Sequence, residues 1–340
     1  MTKEQFEAIS DQAIAGAGVV YFLAAVATLA AWAAGRKVIA ASAREAVLVG
    51  ADSPAQSTPD PEVGDADKMD LWSRIGLSLT ILAASIHLIA LVARGLAADP
   101  VRVPWGNMYE FTITATWVVV AGYLLLYKRY SLGWLAPIVT WFAVIMLMVS
   151  VLVLYQPVTP LRDALQSYWL VIHVIAAIIA TGAFTIGGMC SILYLIKARW
   201  EDKQATREDK GGSRGGYLAR LPSLKSLDQM AYRTHAFGFP VWTFAALIAG
   251  PIWAHAAWGR YWNWDPKEVW AFVTWVVYAA YLHARATAGW KGKAAAIVAL
   301  IGLATLWFNF VGINFFFGSG SMHLRLTALR IVVPAWRSLT

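Results

Sequence analysis

The segment Trp258-Gly-Arg260-Tyr261-Trp262-Asn-Trp264-Asp265-Pro-Lys267-Glu268 sets four aromatic rings within eleven residues, and Trp253, Trp270 and Trp275 extend the density on both sides. Six histidines accompany it: His87, His173, His235, His255, His283 and His323. A flat apolar ligand needs a cleft of aromatic faces, and Arg260 and Lys267 at its rim suit carboxylates on such a ligand. An interfacial aromatic belt explains single Trp and Tyr residues. It explains neither the glycine turn at Gly259 nor the charged Asp265-Pro266 step. Two neutral imidazoles approaching from opposite sides make a bis-His axial pair for haem iron. His173 and His323 are the two expected to reach the tryptophan segment. Porphyrin plane, propionates and iron then correspond to the Trp cluster, the basic rim and the His pair. His283 stands apart, about 13 residues from Trp270, or roughly 20 Å of helical rise. One haem cannot touch both, so a His283 ligand implies a second, deeper site.

These residues must be held by membrane helices. The chain has 340 residues, of which 59% are hydrophobic and only 14% charged, where a soluble chain carries about 25% charged. That excludes a disordered protein and argues against a soluble multidomain enzyme. Eight apolar runs can each cross about 30 Å of hydrocarbon: Ala13–Ala34, Leu71–Leu96, Tyr109–Tyr127, Leu132–Leu154, Tyr168–Ile196, His235–Ala257, Val269–Ala284 and Ala294–Phe317. The expected fold is an all-α polytopic bundle, because lipid forces backbone groups to pair within each helix. The first run is long and follows acidic residues, unlike a cleaved signal peptide.

Of the 28 Lys and Arg residues, 19 fall on one side of these spans, which places that side in the cytoplasm of a multi-pass cell-membrane protein. Both termini and the tryptophan loop then face outward. The net charge of +8 is read in the same way, as cytoplasmic loops rather than nucleic-acid binding. Gly50–Asp70 and Arg199–Leu227 read as hydrophilic inner linkers. The expected organisation is an N-terminal two-helix region over 1–97, a ligand-handling core over 98–325 and an external tail over 326–340. Cys190 is the only cysteine, which excludes an internal disulfide or a CxxC pair; it reads as a small packing residue.

The segment 258–268 followed by Trp270 resembles the "WWD" signature of haem-handling proteins, and the chain is similar to the CcsA/ResC family (also called CcsB) of System II cytochrome c biogenesis. Pro104-Trp-Gly-Asn107-Met-Tyr109-Glu110 is similar to that family's P-x-x-N-x-Y-E stretch, and Gly312-Ile-Asn314-Phe-Phe with a downstream His323 also fits. The resemblance implies a part in a holocytochrome c synthase (haem lyase) complex with a ResB-type membrane partner. The complex moves haem b, as bound substrate, to the outer face. There it meets an apocytochrome c bearing Cys-x-x-Cys-His, and a thioredoxin-like reductant supplies electrons. By position His173 and His323 match the external haem ligands, and His283 the transmembrane one, whose opposite ligand is expected from the partner. Haem would rest on Trp258, Trp262 and Trp264, with Tyr261, Arg260 and Asp265 in the same site.

Other residues carry plainer expectations. Asp265 suits a helix cap and Glu268 a first helical turn. His87 reads as packed among Ala83, Ala84 and Ala90; His235 as an alternative inner ligand approaching His283; His255 as a rim residue. A System I haem-delivery protein shares the signature but has fewer spans. A small-molecule transporter would need a broken helix, for which Gly187-Gly188 is the one candidate. A ligand-free scaffold would leave the aromatics as a belt.

Overall fold

The structure, a computed structural model, describes residues 1–49, 61–160, 167–205 and 217–316. Among them every regular element is a helix: α1 (Lys3–Val49), α2 (Pro61–Ala97), α3 (Met108–Tyr127), α4 (Ala136–Val149), α5 (Tyr168–Ala205), α6 (Tyr217–Arg220), α7 (Leu224–Thr243), α8 (Gly250–Trp258), α9 (Pro266–Thr287), α10 (Lys293–Trp307) and α11 (Ile313–Phe316). Three wider π-turns interrupt the long rods, at Ser150–Leu154, Phe244–Ala249 and Phe308–Gly312. The last two join α7 to α8 and α10 to α11 with no residue between the helical segments.

Seven of these helical stretches are long and apolar enough to cross a membrane, at the places of seven expected spans. The expected span Val269–Ala284 forms part of α9, which has 22 residues and is long enough to cross. It is less apolar than the others because Trp270, Phe272, Trp275, Tyr278 and Tyr281 replace aliphatic residues, and Glu268, His283 and Arg285 sit near its ends. Gly50–Asp70 is only partly a linker, since α2 already begins at Pro61. Proline is tolerated in a first helical turn, and the acidic residues that follow favour a helix start. The stretch Arg199–Leu227 is likewise shortened by α5 running to Ala205 and by α6 and α7 starting at Tyr217 and Leu224.

Small residues let the backbones approach closely. Ala17, Ala24 and Ala25 of α1 and Ala83, Ala84 and Ala90 of α2 are buried in the α1–α2 hairpin. Val19, Phe22, Ile81, Leu88 and Ile89 point outward, where lipid would meet them. A second core, around Phe184, Trp242, Tyr278, Tyr281 and Leu306, joins α5, α7, α9 and α10. A third, smaller cluster of Leu170, Val174, Ile178 and Trp253 lies at the end of the bundle that carries the tryptophan loop. Gly187-Gly188 is not a helix break: α5 runs through it unbroken. A Cβ on Gly187 would lie 2.6 Å from the His235 ring, and one on Gly188 would lie 2.5 Å from Leu303. The two glycines admit neighbours, so the feature that favoured a transporter is explained by packing.

The P-x-x-N-x-Y-E stretch ties the N-terminal hairpin to the rest. Asn107 caps α3 by accepting the Glu110 N–H at 2.8 Å. The Glu110 carboxylate receives Arg102 at 2.6 Å, Arg94 at 3.4 Å and the Gly106 N–H at 2.8 Å. Arg94, whose side chain is fully buried, also meets Asp11 of α1 at 3.4 Å and Glu7 at 3.6 Å. Its guanidinium lies over the Tyr109 ring and donates to the Gln156 carbonyl. A guanidinium suits this place because its five donors fork toward several acceptors at once. Arg94→Met should remove the buried cation shared by the Glu110, Asp11 and Glu7 carboxylates, leaving Glu110 to Arg102 and the Gly106 N–H, and cost about 3 kcal/mol. Reversible denaturant unfolding in micelles measures this, and a wild-type midpoint would mean that water already solvates the cluster.

Candidate functional site

The tryptophan loop is built by its two flanking helices. Gly259 ends α8 in the left-handed conformation, φ +74°, with its N–H on the His255 carbonyl at 2.8 Å. That backbone suits glycine. Asp265 is buried and caps α9, accepting the Lys267 N–H at 2.9 Å. Pro266 follows in the first turn and Glu268 reaches back, completing a capping box. One Glu268 oxygen accepts the N–H groups of Asn263 and Asp265 at 2.8 and 3.1 Å. Between these two anchors Trp264 is held at φ +57°, which non-glycine residues rarely adopt. The expected roles of Asp265 as cap and Glu268 as first-turn residue are thus observed.

Beneath the loop lies a cavity of about 240 Å³. Tyr261, Trp262, Lys267 and Glu268 line it from the loop and the start of α9, His173 and Thr181 from α5, Trp253 from α8, and Trp242 from α7. Trp105, Phe111, Leu306, Asn309 and Phe310 complete the wall from the α3 and α10 sides. The His173 Nδ1 lies 2.9 Å from the Ala245 carbonyl, and its ring stacks on Trp253 at 6.0 Å and 12°. Trp242 donates its indole N–H to the Ala271 carbonyl at 3.2 Å, and Trp275 donates to Thr243 at 2.9 Å, so α7 and α9 are locked together beside the cavity. Lys267 precedes the span Val269–Ala284. Burial pulls its ammonium down to about 8, opposed by the Asp265 carboxylate.

The other expected site residues are spread around this cavity. Trp258 does not line it but packs edge-on against Trp253 at 4.8 Å. Trp264 is 72% exposed and meets Trp262 edge-on at 5.8 Å. Arg260 is exposed on the loop. His255 is also exposed and stacks on Tyr261 at 4.3 Å, a rim position as expected. His323 lies outside the described residues. His283 is exposed at the far end of α9. His235 does not turn toward it: its ring is buried against Tyr278 at 5.2 Å and Tyr281 at 5.2 Å, with Nδ1 on the Ala231 carbonyl. Residue 283 is two positions beyond Tyr281, about 200° around the helix, so it faces away. His87 is fully buried and packs edge-on against Tyr21 at 6.0 Å. Cys190 is buried as well.

Sequence reasoning overlooked Trp105, Trp242, Phe111, Asn309 and Phe310 as walls of the cavity. Trp105 was signalled by its place inside the P-x-x-N-x-Y-E stretch. Trp242 and Phe310 carried no local signal, because apolar aromatics within spans look alike until the helices are packed.

The family of cytochrome c assembly proteins matches residues 105–319, which takes in the loop and every element lining the cavity. The chain belongs to that family. Its relatives include the cytochrome c biogenesis protein CcsA of Guillardia theta, 35% identical over 251 residues that cover 71% of this chain and 82% of the relative. CcsA of Synechococcus sp. (strain JA-3-3Ab) is 32% identical over 305 residues, covering 75% and 85%. The solved cytochrome c heme lyase CcmF has the same fold, with a TM-score of 0.56 at 14% identity, over 96% of this chain and 51% of CcmF. This family member is therefore a multi-pass membrane protein of cytochrome c maturation. Within it, Asp265→Ala should cost about 1 kcal/mol by removing the α9 cap, while Asp265→Asn retains most of the stability. Thermal unfolding followed by tryptophan fluorescence reads the difference, and equal midpoints for the two variants would remove the cap from the account.

Proposed function

We propose that this chain binds haem b as a substrate on the outer face of the membrane and presents it to apocytochrome c. The observation that carries the reading is the imidazole of His173 set into an aromatic-walled cavity directly beneath the tryptophan loop. Haem iron takes a neutral imidazole nitrogen as an axial ligand, and the stacked Trp253 together with Trp262 and Tyr261 offers faces for a planar ring. The cavity is smaller than the 300–1,000 Å³ usual for a drug-sized ligand. The exposed rings of Tyr261 and Trp264 extend its aromatic wall outside, so a porphyrin would lie partly in the cavity and partly against the loop. Lys267 in the cavity and Arg260 on the loop would face the propionates. Leu306, Asn309 and Phe310 wall the cavity from the segment that leads on to His323, which supports His323 as the opposite axial ligand.

In this reading His173 and His323 hold both axial positions and protect the iron until the client's own histidine replaces one of them. The exchange is of imidazole for imidazole, so ligand-field strength changes little. The thiols belong to the client's Cys-x-x-Cys-His motif and the electrons to a thioredoxin-like reductant, which fits a chain whose lone cysteine is buried. His283, exposed near the other end of α9, would serve a separate inner site completed by a ligand from a ResB-type partner. Its outward position, on the lipid or partner side of the bundle, agrees with a ligand supplied by another chain. The termini and loop would lie outside, and the basic linkers inside.

Purified chain, alone and with its partner, should carry a low-spin bis-His Soret spectrum. His173→Ala and His323→Ala should each lose that signature and recover it with added imidazole, while His283→Ala should deplete haem without changing the ligation of what remains. A His173→Ala spectrum and haem content equal to wild type would overturn the outer site.

A further inference from the structure

We propose that the π-turn Phe244–Ala249, with Gly250 behind it, positions His173 by fixing the proton on Nδ1 and turning Nε2 toward the cavity. The purpose given to this device rests on the reading of His173 as a haem ligand; the device itself rests on geometry alone.

The pivot is the carbonyl of Ala245. In a regular α-helix its partner is the N–H four residues on, that of Ala249. Here the turn is one residue wider, and the N–H of Gly250 takes that place. A carbonyl oxygen has two lone pairs, and His173 Nδ1 sits 2.9 Å from this one. A carbonyl only accepts, so Nδ1 must be the protonated nitrogen. In the neutral ring Nε2 then carries the lone pair that a metal requires. Metal-binding histidines commonly give their second nitrogen to a carbonyl in this manner, which fixes both tautomer and ring orientation. Water favours the opposite tautomer of neutral imidazole, so the site reverses the intrinsic preference.

The local sequence explains why the turn widens here. Pro251 has no N–H to continue the α-helical ladder, and a local π adjustment is one way a membrane helix re-satisfies the groups that a proline frees. Gly250 supplies the room. A Cβ there would lie 3.1 Å from the Ala245 oxygen and 3.2 Å from both Cε1 and Nδ1 of His173. Those contacts are tighter than ordinary packing, so the ring or the carbonyl must give by a few tenths of an ångström, which loads the Nδ1 hydrogen bond directly. Trp253, three residues on, stacks on the ring. Ala245, Gly250 and Trp253 thus hold the imidazole from one continuous stretch of helix, while α5 supplies the histidine itself.

The test uses the full-length protein, ¹⁵N-labelled at histidine and purified without haem. The His173 signals are assigned by their loss in His173→Gln. The expected result is a protonated Nδ1 and an unprotonated Nε2 in wild type, and loss of that state in Gly250→Ala. Gly238→Ala is the control: its added methyl would meet Phe184 at 2.9 Å between α7 and α5, so it perturbs packing without touching His173. It should leave the tautomer intact. An Nε2-protonated His173 in wild type, an unchanged Gly250→Ala, or an equal change in Gly238→Ala would each overturn the proposal. Should Gly250→Ala not fold, the wild-type tautomer decides alone.

A parallel reading separates the device from its purpose. With haemin added, Gly250→Ala should convert part of the low-spin Soret band to high-spin, and added imidazole should restore it. If the tautomer is as proposed and the Soret band does not respond, the ligand role of His173 falls and the positioning stands. If the tautomer is wrong while His173→Ala still abolishes the low-spin band, the ligand role stands and the positioning falls.

Discussion

Inside hydrocarbon no water is present to satisfy a stray donor or acceptor, and each one left alone costs several kcal/mol. Two places in this bundle are arranged by that constraint. One is the Ala245 carbonyl, which takes both the Gly250 N–H and the ring of His173. The other is the Arg94 guanidinium, which has no exposed surface and is surrounded by carboxylates from α1 and α3. The first sets the orientation of the residue best placed for chemistry. The second fastens the N-terminal hairpin to α3, whose first turn and the residues leading into it, from Trp105 to Phe111, wall the same cavity. Both are buried polar groups, and the low dielectric around a buried group makes a missing partner costly.

Much of this was legible in the chain itself. Apolar runs of about 20 residues locate spans because hydrocarbon thickness fixes their length, and the described helices follow them closely. The tryptophan loop announced itself by combining rings with Gly259 and Asp265-Pro266, and those residues do make its turn and its cap. Other features were not legible. The start of α2 at Pro61 was hidden in a polar stretch that reads as linker, because hydropathy is blind to a helix end standing outside the apolar core. The sequence leaves open an approach of His235 to His283, and only packing reveals that the two lie on different sides of α9. The π-turn depends on one unmade α-helical bond near Pro251, a difference of a single residue in hydrogen-bond register that no hydrophobic period records.

The rings of the loop divide into two groups. Tyr261 and Trp262 line the cavity, whereas Trp264 faces outward and Trp258 braces Trp253 from behind. A loop that served only as an interfacial belt would not need a capping box at one end and a left-handed glycine at the other. Those two anchors hold its rings over His173. The likeness to CcmF covers almost the whole of this chain but only about half of that one, so the same fold occurs there within a longer chain.

The central claim is that His173 ligates haem in the cavity beneath the tryptophan loop. Near-infrared magnetic circular dichroism of the ferric, purified protein reads axial ligands directly. The account predicts the charge-transfer band of bis-imidazole ligation in wild type, and its replacement in His173→Ala by a band for a single imidazole. The same bis-imidazole band in both proteins would contradict it.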